Sequence, residues 1–113
     1  MTRIVITGAC GKMGRVINDI VNTRDDCEIT AGIDIAGEQY ADFPVYKKLF
    51  DLPEKPDVII DFSHPSLLDE LLDYCKINNV PVVIATTGYT DEQIKQIKTA
   101  AGQIPVFFTF NMS

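Results

Sequence analysis

Apolar positions in this chain follow two rhythms. Short β-branched runs alternate with segments in which apolar residues recur every three or four places. The run Arg3-Ile4-Val5-Ile6-Thr7 stops at Gly8 and reads as a buried strand. From Lys12 to Thr23, Met13, Val16, Ile17, Ile20 and Val21 make the core stripe of an amphipathic helix. Glu28 to Ile33 predicts a second strand, ending at Asp34. The polar stretch from Ala36 to Pro56 carries three of the six prolines. It predicts only a short strand at Val45-Tyr46 and a short helix within Lys47 to Leu52.

Asp57 to Phe62, bounded by Pro56 and Pro65, is the plainest strand in the sequence. A helix is expected from Pro65 to about Asn78, with Leu67, Leu68, Leu71, Leu72 and Cys75 as its buried stripe. Pro65 suits a first helical turn, where its missing N–H costs no bond. Pro81 to Ala85 is the next strand. Thr90-Asp91-Glu92-Gln93 fits a capping box, opening a helix that carries Ile94 and Ile97 and stops near Gly102. Pro105 to Phe108 is the last strand. Strands alternating with helices imply right-handed crossovers and a parallel sheet covered on both faces. The expected fold is therefore α/β: a Rossmann-type, doubly wound, three-layer single domain of about six strands, ordered 3-2-1-4-5-6.

Composition narrows the function. The 113 residues amount to one domain, and 46% hydrophobic against 23% charged is a globular balance. No apolar run approaches the roughly 20 residues that span a bilayer, and no secretory leader is evident. Ten Lys and Arg against sixteen Asp and Glu give a net charge of −6, which argues against nucleic-acid and anionic-membrane partners. Cys10, Cys27 and Cys75 form neither a disulfide framework nor a zinc motif, and His64 is the one histidine, so no metal site is expected. Unpaired thiols fit a reducing, cytoplasmic setting.

The chemistry is concentrated where the first strand meets the first helix. Gly8-Ala9-Cys10-Gly11-Lys12-Met13-Gly14 places glycine at every third position. It is a variant of the turn that brings bare backbone to a pyrophosphate at a helix N-terminus. Asp34 follows 20 residues after Gly14, at the end of the second strand. A carboxylate there accepts from ribose hydroxyls and repels a 2′-phosphate, which favours NADH over NADPH. Lys12 is the cation expected to approach an extra phosphate; otherwise it is a solvated first-turn lysine. Three further segments fall on the same sheet edge: Phe62-Ser63-His64, Thr86-Thr87-Gly88 and Asn111-Met112-Ser113. Phe62 suits packing on a ring, and Thr86 and Thr87 offer hydroxyls. Equally, Phe62 is ordinary core, and Ser63 or His64 caps the next helix. Met13 and Tyr89 read as packing residues.

With GACGKMGR at Gly8 to Arg15, DFSHPS at Asp61 to Ser66, TTGY at Thr86 to Tyr89 and NMS at Asn111 to Ser113, the whole chain resembles the dihydrodipicolinate (4-hydroxy-tetrahydrodipicolinate) reductases of lysine biosynthesis. The resemblance implies cofactor contacts from Gly8, Ala9, Cys10, Gly11, Lys12 and Met13 to the pyrophosphate and from Asp34 to the adenosine ribose. On the nicotinamide side it implies Phe62, Ala85, Thr86 and Thr87, with Thr109, Phe110, Asn111 and Met112 beyond the last strand. Ala85 stands where the family usually has glycine, and Phe110 where a small residue or proline is common.

The resemblance further implies hydride transfer from NADH or NADPH to an imine of a heterocyclic dicarboxylate, yielding tetrahydrodipicolinate. The family continues into a second, mostly β domain that carries a paired-histidine motif and builds a homotetramer. The chain is thus expected to be a truncated cofactor domain with no catalytic residue of its own. Alone it should be inactive, with an apolar patch exposed for want of the family's returning helix. The alternative is a stand-alone dinucleotide-binding or redox-sensing module. Another GxxGxMG oxidoreductase fits the DFSHPS and TTGY pairing less well.

Overall fold

The computed structural model describes residues 1–108. Its strands are β1 (Thr2–Thr7), β2 (Cys27–Ile33), β3 (Val45–Tyr46), β4 (Val58–Asp61), β5 (Val82–Ile84) and β6 (Val106–Phe108). The helices are α1 (Lys12–Val21), α2 (Leu68–Asn78) and α3 (Asp91–Ala100). All strands pair in parallel as one six-stranded sheet in the order β3-β2-β1-β4-β5-β6. This is the expected Rossmann-type order, and it reverses direction between β1 and β4. A crevice opens at the carboxyl ends of that pair, and ligands of such sheets bind there.

The two faces of the sheet differ. On one, Leu68, Leu71, Leu72, Tyr74 and Cys75 of α2 join Ile97 and Ala100 of α3 over Val5, Ile59, Val82 and Ile84. On the other, α1 covers Ile4, Ile6 and Ala9, with Val21 and Phe43 closing a smaller core. The short helix expected around Lys47 to Leu52 is the 3-10 helix Leu49–Asp51, which buries Leu49.

Two buried stripes differ from expectation. In α1 only Gly14 and Val21 are buried, while Met13, Val16 and Ile20 face outward. Helical periodicity marks one apolar face but does not say how wide a partner covers it. In the segment after β4, Pro65–Leu67 forms a 3-10 turn before α2 begins, which swings Leu67 to the surface. Tyr74 takes a core place that hydropathy alone did not assign.

The register sets an apolar row along the α1 side of the sheet. Ile6 pairs with Ile60, Ile60 with Val83 and Val83 with Phe107, so all four side chains share the α1 side. Phe107, at the far edge, is 68% exposed. The large apolar residues exposed on this side are Met13, Val16 and Ile20 of α1 and Phe107 of β6. Exposed apolar residues of this size favour association where they adjoin. Sedimentation of the chain should show mass rising with concentration, and the double variant Ile20→Lys, Phe107→Lys should sediment as a monomer throughout. Identical behaviour of the two would remove these residues as the cause.

Candidate functional site

At the end of β1 the chain turns so tightly that side chains are excluded. Gly8 has φ +70, and a Cβ there would lie 2.4 Å from the Phe62 carbonyl oxygen. A Cβ on Gly14 would lie 2.4 Å from the Ala9 carbonyl oxygen, so α1 packs directly on the turn. Within the turn the backbone is already engaged. The Gly8 and Ala9 amides donate to the Ile33 carbonyl at 2.8 and 3.2 Å, and Gly11 N–H donates to the Gly8 carbonyl at 3.1 Å. The Cys10 amide donates to Asp34 Oδ2 at 2.9 Å. What remains for an anion is the first turn of α1. Gly11 caps it without a side-chain hydrogen bond, and no acidic residue stands in that turn. Uncapped helix amides carry a partial positive charge towards the crevice.

The irregular segment after β2 clamps this turn from outside. Tyr40 Oη donates to the Ala9 carbonyl at 2.7 Å, and the Arg15 guanidinium lies 4.1 Å from the Tyr40 ring centroid. Arg15 Nε reaches the Cys10 carbonyl at 3.2 Å. Ala9 is fully buried, with both backbone polar groups bonded within the protein.

Two cavities flank the turn. One, of about 280 Å³, brings Gly8, Gly11, Lys12 and Met13 together with Phe62, Ser63, Ala85, Thr86 and Thr87. The other, of about 190 Å³, is lined by Thr7, Gly8, Asp34, Ile35, Lys47, Ser63, His64, Leu67 and Leu71, among others. Gly8 and Ser63 belong to both, so the cavities meet at the switch point. Lys12 lies on the side away from Asp34, whereas Lys47, which the sequence reading passed over, lines the cavity that holds Asp34. Met13 is 47% exposed and borders the larger cavity rather than packing inward. His64 caps the 3-10 turn, its Nδ1 accepting from the Ser66 amide at 3.1 Å. Thr109, Phe110, Asn111 and Met112 lie outside the described residues.

A carboxylate missed in the sequence stands between these walls. Asp61, the last residue of β4, has no exposed surface. Its Oδ1 accepts from Thr7 Oγ1 and from Ser63 Oγ, the latter at 2.5 Å. Its Oδ2 accepts from Thr86 Oγ1 at 2.7 Å and from Tyr89 Oη at 3.3 Å. Tyr89 still packs as expected, edge-on to Phe108 with ring centroids 5.8 Å apart, but its hydroxyl turns inward to this cluster.

Comparison with known proteins fits this geometry. A family model described as "Dihydrodipicolinate reductase, N-terminus" matches residues 2–112. The chain belongs to this family. The 4-hydroxy-tetrahydrodipicolinate reductases of Clostridium novyi and Clostridium tetani are 41% and 40% identical over the whole chain. The chain spans 45% and 44% of their lengths. A solved dipicolinate-bound dihydrodipicolinate reductase from a Paenisporosarcina species superposes with a TM-score of 0.74 at 34% identity, covering 89% of this chain and 43% of that one. A myo-inositol dehydrogenase from Corynebacterium glutamicum, at 21% identity and TM-score 0.75 over 98% of this chain and 36% of its own, shares the fold alone. The DFS segment from Asp61 contributes the carboxylate cluster, and the TTG segment contributes Thr86.

That cluster also acts on two weak acids. Burial, then the Asp61 charge, pushes the Cys75 thiol up to about 12, and raises the Tyr89 hydroxyl for the same reasons. Unfolding would release the thiol to its ordinary value of 9.0, so the unfolded chain loses a proton that the folded chain keeps. Stability should be full below about pH 9 and fall as pH rises towards about 12, by up to about 1.4 kcal/mol per pH unit for each group. Chemical denaturation across that range should show the fall, with a shallower slope in Cys75→Ala. Equal slopes would contradict the assignment.

Proposed function

We propose that this chain binds a reduced nicotinamide dinucleotide as the cofactor domain of a 4-hydroxy-tetrahydrodipicolinate reductase. The observation that carries this reading is the pair of cavities meeting at Gly8 and Ser63 beneath an uncapped helix N-terminus. The residues present fit the ligand. The turn carries no Cβ at Gly8, Gly11 or Gly14, so the α1 amides are open to a pyrophosphate. Asp34 has an oxygen bonded to each of the Cys10 and Ala36 amides, which fixes the carboxylate while leaving acceptor capacity for ribose hydroxyls. Ile35, Leu67 and Leu71 give that cavity an apolar wall suited to a base.

The second cavity would take the nicotinamide end, against Phe62, Ala85, Thr86 and Thr87, with Thr109 to Met112 contributing from beyond β6. When bound, the reduced nicotinamide supplies a hydride; this chain's residues supply position and orientation. In the whole protein the acceptor would be a heterocyclic dicarboxylate imine, an assignment supported by the dipicolinate named for the Paenisporosarcina relative. The whole protein would be a cytoplasmic homotetramer. Among the described residues no helix is long and apolar enough to cross a membrane, and no disulfide is formed, which supports that setting.

Asp34 would favour NADH, and Lys47 would offset part of its repulsion towards a 2′-phosphate. Calorimetric titration should show both dinucleotides binding, NADH more tightly. Asp34→Ala should weaken NADH by about tenfold or more, the size of a lost charged hydrogen bond, and NADPH by less. Lys47→Ala should weaken NADPH alone. Binding of neither dinucleotide by the wild-type chain would overturn the reading.

A further inference from the structure

We infer that Asp61, which has no exposed surface and borders the smaller cavity, is a positioning residue for the reacting end of the cofactor, acting through the hydroxyls it gathers. The inference rests on the dinucleotide reading above and adds to it a division of labour between two carboxylates. Asp34 and the Ile33 carbonyl hold the phosphate turn, through the Cys10 amide and the Gly8 and Ala9 amides. None of those bonds involves Asp61. The opposite wall of the crevice is held differently. Ser63 after β4 stands where the two cavities meet, Thr86 after β5 lines the larger one, and both donate their hydroxyls to Asp61. Tyr89, further along the same loop, donates to it as well.

The backbone reinforces this. The Ala85 amide donates to the Asp61 carbonyl at 2.9 Å, and the Phe62 amide donates to the Thr7 carbonyl at 3.1 Å. Thr7 pairs in register with Asp61, and Asp61 with Ile84, so the ends of β1, β4 and β5 converge on one side chain. A buried carboxylate is costly to desolvate, and an apolar residue of similar size would fill a core position at lower cost. What the carboxylate adds is direction. Each bond to a charged acceptor favours one hydroxyl rotamer, so Ser63 and Thr86 meet a nicotinamide in one arrangement.

Asparagine at this position keeps the shape but presents an NH₂ where two hydroxyls need an acceptor. The test uses the full-length protein, with NADH as the complete ligand and ADP as a probe that lacks the nicotinamide half. Asp61→Asn should weaken NADH by about tenfold and leave ADP within about twofold of wild type, with kcat at saturating cofactor also lower. Tyr89→Phe removes one donor and keeps the ring, so it should weaken NADH by about threefold and leave ADP unchanged. If circular dichroism shows that Asp61→Asn does not fold, the Tyr89→Phe comparison decides alone. Equal losses for NADH and ADP, or no loss for either, would reduce Asp61 to a structural residue while leaving the dinucleotide reading intact. Failure of the wild-type protein to bind either ligand would remove both.

Discussion

The structure depends on a contact that only backbone can make. Gly8 passes so close to the Phe62 carbonyl, and Gly14 so close to that of Ala9, that a methyl group at either place would overlap main-chain atoms. Those approaches let α1 start immediately over the end of β1 and aim its free amides at the crevice. They also set the distance between β1 and the loop after β4, so the width of the crevice follows from them. The apolar cores on either face keep the sheet in place, but neither core by itself would leave an opening at this edge.

Around that contact, polar groups divide the edge between them. The end of β2 secures the glycine turn through Asp34, and the segment carrying Tyr40 fastens it from outside. The end of β4 secures the other wall through Asp61. A turn whose amides are nearly all spent on the protein presents its remaining donors at one place, the first turn of α1. This selectivity suits a diphosphate better than an unspecific anion site would, because the flanking cavities extend away from it in two directions.

Most of the fold was legible because its signals are local. Short apolar runs bounded by Gly or Pro marked β1, β4, β5 and β6, and the Thr90–Gln93 capping box marked the start of α3. The stripe of α1 misled because five apolar residues at helical spacing look the same whether or not a neighbour covers them. Leu67 misled because His64 and Pro65 set a 3-10 turn ahead of α2, rotating that residue outward. At the site, the glycine turn and Asp34 stood out by spacing, and the Thr86-Thr87 segment by its place at a strand end. Asp61 did not, because one acidic residue closing an apolar run looks like an ordinary strand terminus. Only the pairing of Thr7 with Asp61, and the arrival of Thr86 and Tyr89 from 25 and 28 residues away, reveals its role. Lys47 was hidden likewise, in a polar stretch whose path back to Asp34 depends on β3 pairing with β2.

The central claim is that one ligand spans both cavities across the glycine turn. Amide chemical shifts of the isotopically labelled chain, followed as NADH is added, test it most directly. The account predicts that Gly11, Met13 and Gly14 shift together with Asp34 and Ile35 on one side and Ser63, Thr86 and Thr87 on the other, along one binding curve. Shifts confined to residues away from both cavities, or none at the turn, would contradict it.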